Sequence, residues 1–250
     1  MKNLLLVLIS FLTLSNLTTA QNNDYSSGGW GNGKKVKGEG AIVTETRNVT
    51  GFKGFESAVS ADVFIKQSAT FKVTIVGQKN ILDLMKTELK GDMLKITFQK
   101  GYNISYKDQL KVYIEAPSFE KLSMSGSGNV KAENALSGSK MDIGISGSGD
   151  FKLDNIKFSN IEFHISGSGN ITVSGESEKV DFHVSGSGDI KASDLKAQTV
   201  ECHVSGSGNI NCNATKSLNA LVSGSGDIRY KGRPESLKTK VSGSGDIEAE

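Results

Sequence analysis

From residue 122 onward the chain alternates apolar and polar positions in short runs, and one five-letter motif interrupts the alternation each time. S-G-S-G-[DN] begins at Ser125, Ser146, Ser166, Ser185, Ser205, Ser223 and Ser242, at steps of 21, 20, 19, 20, 18 and 19 residues. Met124, Ile145, Ile165, Val184, Val204, Val222 and Val241 stand just before it; Val130, Phe151, Ile171, Ile190, Ile210, Ile228 and Ile247 stand just after. Two residues further out on each side the inward pattern repeats, for example at Phe163, Phe182 and Cys202 before the motif and Leu153, Val173 and Cys212 after it. Period-two alternation of this kind is what a strand with one buried face requires. Self-similarity near twenty residues marks a solenoid whose units stack on their neighbours. Helical repeats need longer units with amphipathic helices, and none are visible.

The expectation is therefore an all-β chain, a parallel β-helix whose coils each contribute two short strands with SGSG at the corner between them. Gly126, Gly147, Gly167, Gly186, Gly206, Gly224 and Gly243 are expected to supply positive-φ freedom and close backbone approach there. A second, polar corner such as "LDNI" (153–156) or "ASDL" (192–195) closes the circuit. Residues 122–250 form this regular part, and 41–121 a less regular β-rich part. Within the latter, Phe71–Val76, Met93–Phe98 and Leu110–Ala116 read as strands. Lys79–Gly91 has apolar letters at helical spacing but is assigned to extended structure.

The first twenty residues change the picture of where the chain works. Lys2, the apolar run Leu4–Leu14 and the small residues Thr18–Ala20 have the layout of a signal peptide, too short to span a bilayer. Residues 21–40 read as a flexible linker. The expected address is exported: periplasm, cell surface or extracellular, with no membrane span in the mature chain. The 29 basic and 27 acidic residues leave a formal charge of +2 with no basic stretch, which argues against nucleic acid as a partner. With 29 Gly but only 2 Pro, the chain is not collagen-like.

Stacking turns repeated letters into columns, and three carry candidate chemistry. The position after each SGSG reads Asn129, Asp150, Asn170, Asp189, Asn209, Asp227, Asp246. Asn can donate to the carboxylate beside it, so the column reads as a structural ladder; Asp150, Asp189, Asp227 and Asp246 are alternatively a binding column. His164, His183 and His203 share one column beside Asp142, Glu162, Asp181 and Glu201, readable as a solvated surface or as ligands for a divalent metal. Cys202 and Cys212 fall on inward positions of one coil, as a disulfide or as two buried thiols.

No catalytic residue and no cofactor is expected. The corner serines lack the G-x-S-x-G elbow, "GSGD" extends to neither G-x-G-x-x-G nor a P-loop, and seven near-identical copies describe architecture rather than one active site.

"RNVTGFKGFESAVSADVFI" (47–65), "TELKGDMLKITF" (87–98) and "KVYIEAPSFEKLSMSGSGNV" (111–130), followed by the serial repeats, carry a resemblance over roughly residues 41–250. The chain resembles the head GIN domain family of auto-transporter adhesins, a domain of unknown function common in Bacteroidetes. The resemblance implies a right-handed parallel β-helix in which 41–121 forms the first coils and "VSADV" (59–63) is an eroded first corner. It also implies an adhesin-like, non-enzymatic binding protein with a glycan or cell-surface protein as partner; a structural protein of the envelope is the alternative, and a polysaccharide-acting β-helix enzyme a third.

Overall fold

The computed structural model describes residues 33–106 and 110–250. The expected signal segment and most of the expected linker lie outside the described residues. The end of that linker does not: Lys34–Lys37 is a strand, paired in parallel with Tyr102–Ser105.

The regular structure of the described residues is nearly all β, 63% strand and 2% helix, wound into a β-solenoid of about six turns. The register follows the columns of the repeat. Leu122, Ile143, Phe163, Phe182, Cys202, Ala220 and Thr239 are successive partners on the strands before the corner. Val130, Phe151, Ile171, Ile190, Ile210, Ile228 and Ile247 are successive partners after it. Their side chains fill one continuous core, with Phe163 and Phe182 stacked at a centroid distance of 5.0 Å. The inward column fades in the last coil, where Thr239 and Val241 are exposed.

Glycine at the SGSG corners answers to stacking rather than to turn geometry. None of these glycines has positive φ, contrary to the expectation. A Cβ added to Gly147, Gly167 or Gly186 would lie 1.9 to 2.0 Å from the carbonyl oxygen of the corner glycine one coil earlier. The corners pile up backbone on backbone, and only hydrogen fits between them. Positive φ appears instead at the second corner, at Asn155 (57°) and Gly175 (138°). That corner also holds register shifts, between Leu153 and Ile156, Thr172 and Ser174, and Lys191 and Lys196, with one more just beyond it between Ala197 and Thr199. The uneven steps of the repeat are absorbed there as bulges, while the SGSG side stays in register.

The N-terminal part departs from sequential stacking. Gly54–Ser57 and Asp62–Gln67 form a coil that pairs on one side with Lys121–Met124 and Val130–Ala132. On its other side it pairs with Met93–Phe98 and Lys111–Ala116. Stack order thus differs from chain order, because the chain passes under its own first coil before continuing upward. "AVSAD" (58–62) occupies the place of SGSGN: Met124 pairs with Ser57 and Val130 with Val63. Antiparallel strands then close this end. Met85–Lys90 pairs with Met93–Phe98, Lys72–Gln78 with Lys111–Ala116, and Ile42–Arg47 with Lys72–Gln78. Covering the end in this way removes an open parallel edge. The segment assigned to extended structure contains one helical turn, Lys79–Leu82, which buries Ile81 and Leu82 before Met85–Lys90 becomes strand. Among the described residues no helix is long and apolar enough to cross a membrane.

Candidate functional site

The Asn/Asp column is a continuous hydrogen-bonded ladder that begins one coil earlier than the motif, at Asp62. Nδ2 of Asn129 donates to Oδ1 of Asp62 at 3.0 Å, Nδ2 of Asn170 to Asp150 at 3.0 Å, and Nδ2 of Asn209 to Asp189 at 2.9 Å. The backbone N–H of each member also donates to the side-chain Oδ1 one coil below: Asn170 to Asp150 (2.7 Å), Asp189 to Asn170 (3.0 Å), Asn209 to Asp189 (2.8 Å), Asp227 to Asn209 (2.8 Å). Alternation gives every carboxylate an amide donor and keeps like charges two coils apart. Where it lapses, at Asp227 and Asp246, Arg229 lies 3.8 Å from Asp227 and supplies the missing positive charge. The four aspartates singled out as a binding column thus stand in this ladder, and the Oδ1 atoms of Asp150, Asp189 and Asp227 are already engaged within the protein.

The three histidines also line up as the repeat requires. His164 and His183 stack face to face at 5.0 Å and 7°, and His203 tilts away at 6.1 Å and 58°. Burial, then the neighbouring positive charge of His164 and His203, holds His183 below its usual value against the opposing pull of Asp181 and Glu162. Nε2 of His164 lies 3.7 Å from Glu162, and the carboxylates beside the histidines are shared with lysines. Lys140 reaches Glu162 at 3.2 Å, and Lys179 bridges Asp181 (3.2 Å) and Glu201 (3.1 Å). Among the described residues no group of three or more His, Cys, Asp or Glu converges on a metal-sized site.

Cys202 and Cys212 face each other across one coil as buried free thiols, with their sulfurs 3.7 Å apart. Burial, reinforced by the Cys212 hydrogen bond, pushes the Cys202 thiol well above its usual value, so it is a small apolar group and not a thiolate.

The repeat gave no sign of an aromatic pair, Phe64 and Tyr113, on its basic outward column. The outward position two residues after the ladder carries Lys131, Lys152, Thr172, Lys191, Asn211 and Arg229 in successive coils. In the first coils the same column carries Phe64, paired with Lys131, and below it Tyr113, paired with Phe64. Their rings stack at 4.9 Å and 16° and are half-buried. Phe64 borders a cleft of about 390 Å³ with Lys131, Glu133, Asp154 and Asn155 on its walls. On its other side Phe64 shares with Tyr113 a smaller hollow of about 180 Å³, bordered by Lys72, Thr74, Glu115 and Glu133. The Thr74 hydroxyl is buried with no hydrogen-bond partner among the described residues. Aligning "ADVF" with "GNVK" places Phe64 on the lysine column. Nothing in the sequence places Tyr113 beside it, because the two coils are stacked out of chain order.

The fold is shared with solved structures. A "putative adhesin" from Bacteroides fragilis superimposes with a TM-score of 0.83 at 27% identity, over 86% of this chain and 100% of that one. A "putative lipid binding protein" and a "putative adhesin", both from Parabacteroides distasonis, each give a TM-score of 0.70, at 28% and 26% identity. They cover 86% and 87% of this chain and all of theirs. No curated protein matches the chain. Residues 51–234 match the family described as "Putative auto-transporter adhesin, head GIN domain", and the chain belongs to that family.

Proposed function

We propose that the protein is an exported, non-enzymatic binding module, an adhesin-like solenoid that engages a partner at a cell surface. Its contact face is the outward sheet of the first coils, centred on Phe64 and Tyr113, and not the aspartate ladder. The observation that carries this reading is the half-buried aromatic pair, with Phe64 bordering a 390 Å³ cleft and Tyr113 the smaller hollow on its other side, in a column otherwise given over to lysine and other polar side chains. The cleft is mostly polar, with Lys131, Glu133, Asn134, Asp154 and Asn155 around Phe64, and its volume lies in the range of small-ligand sites. Family membership supports an adhesive role. The interior is filled by Phe151, Phe163 and Phe182 and their neighbours, which speaks against an acyl chain held inside the coils.

The test is binding of the purified full-length protein to whole bacterial cells and to mucin-coated surfaces, read by biolayer interferometry. Wild type is expected to bind saturably, and Phe64→Ser/Tyr113→Ser to bind at least tenfold more weakly with its circular dichroism unchanged. Absence of binding to every surface, together with an envelope defect on deletion, would replace this reading with the structural one.

A further inference from the structure

We infer that the cleft beside Phe64 is a subsite for a neutral saccharide, with a pyranose ring laid against the side of the Phe64 ring turned away from Tyr113. This rests on the reading of that face as the contact face and names the chemistry it takes.

Three features select that chemistry. An aromatic face carries partial negative charge and attracts the positively polarised C–H bonds on one side of a sugar ring. The surrounding groups are short-range hydrogen-bonding partners suited to hydroxyls: Glu133 and Asp154 accept, Lys131 donates, and the Asn155 side chain does both. Glu133 is exposed and forms no ion pair among the described residues, so its carboxylate is available to a ligand. The charge count then rules on which sugars fit. Across the cleft and the adjoining hollow, Lys131 and Lys72 stand with Lys152, 3.9 Å from Asp154, against Glu133, Asp154 and Glu115, so the charges balance. A uronic or sialic acid would bring an uncompensated carboxylate into that balance, whereas an uncharged ring would not. An apolar ligand would fill the surface of the rings but leave the carboxylates and the amide without partners.

The experiment keeps this inference separable from the one beneath it. Binding of the full-length protein to cells is measured before treatment, after mild periodate oxidation of vicinal diols, and after protease treatment. Loss with periodate and survival after protease is the expected result. Loss with protease alone would overturn the saccharide while leaving a surface-binding protein; no binding before treatment would overturn both. Competition then fixes the class. Neutral hexose oligomers such as maltohexaose and cellohexaose are to be compared with polygalacturonate, and stronger competition by the polyanion would overturn neutrality. Glu133→Gln, an exposed isosteric change, should weaken the neutral competitor at least threefold with the melting temperature unchanged. Phe64→Leu, which keeps the apolar volume and removes the ring face, should weaken it at least tenfold. Retention of full affinity by both would refute the subsite.

Discussion

Gly167→Ala places a Cβ about 2.0 Å from the carbonyl oxygen of Gly147 and 2.8 Å from that of Ser146. Real Cβ contacts stay beyond 3.0 Å, so the two corners must separate by about 1 Å. Their backbones are rigid parts of a stack, and no flexible side chain can move aside instead. The Gly147 oxygen accepts from the N–H of Ser168 at 3.1 Å and of Gly169 at 3.3 Å. Both contacts pass beyond hydrogen-bond range after such a shift. Two lost backbone hydrogen bonds cost about 1 kcal/mol each, and forced overpacking adds roughly 1–3 kcal/mol. The sum is about 3–5 kcal/mol, which in a chain of this size lowers Tm by roughly 6–20 °C. Thermal melts followed by circular dichroism at 218 nm or so would read it, with Ser168→Ala as the control because Ser168 points outward and is exposed. The control should stay near wild type. A Gly167→Ala melting within 2 °C or so of wild type would refute the claim that corner stacking is what demands glycine.

Two further outcomes follow from the ladders. Asn170→Asp removes the donor to Asp150 and sets three carboxylates in consecutive coils, costing about 1–2 kcal/mol at low salt. Urea unfolding should show part of that loss recovered at high ionic strength, and a cost indifferent to salt would refute the electrostatic part. His183 is held below its ordinary value of 6.5 in the folded protein, so the unfolded chain binds more protons just below that pH. Stability is then full above pH 6.5 and falls as the pH drops from there toward the folded value. His183→Gln should flatten that part of the stability–pH curve, measured by urea titrations at stepped pH; an unchanged slope would count against the stacked-imidazole account.

How far the letters reached depended on whether a feature repeats. The two inward columns and their register were readable from Leu122 to Ala220 because alternation and a twenty-residue step leave one pairing that buries every apolar letter. The Asn–Asp alternation also disclosed its side-chain half, the amide donating to the carboxylate. Its backbone half was invisible: which N–H points at Oδ1 depends on the corner's path, and the letters do not encode that. The same ignorance led to positive φ being expected at the SGSG glycines; the close backbone approach expected with it is there, imposed by the coil below, while positive φ falls at the second corner, at Asn155 and Gly175. In residues 41–121 only the eroded corner at 59–63 can be aligned with the repeat. The passage of Met93–Phe98 and Lys111–Ala116 beneath the coil of Gly54–Gln67 therefore could not be read, and with it went the Phe64–Tyr113 contact.

The stacking rule also explains why the contact face falls where it does. In the regular coils every corner rests on another, so glycine is obligatory and each coil repeats the polar groups of the last. Their hydrogen bonds are spent between coils, at Asp150, Asn170, Asp189 and Asn209, and the resulting surface is nearly the same at every level. A surface with translational sameness offers no single place to bind. The coil of residues 54–67 escapes this, because the strands beneath it are joined by a long excursion through Tyr102–Ser105 and not by a tight corner. Val59 and Ala61 can therefore carry side chains where the later corners hold Gly126 and Gly128. Freed from the repeat, the same coil presents Phe64 where its successors present Lys131 and Lys152. The regular part supplies a stiff rod, and chemical individuality enters where the repeat gives way.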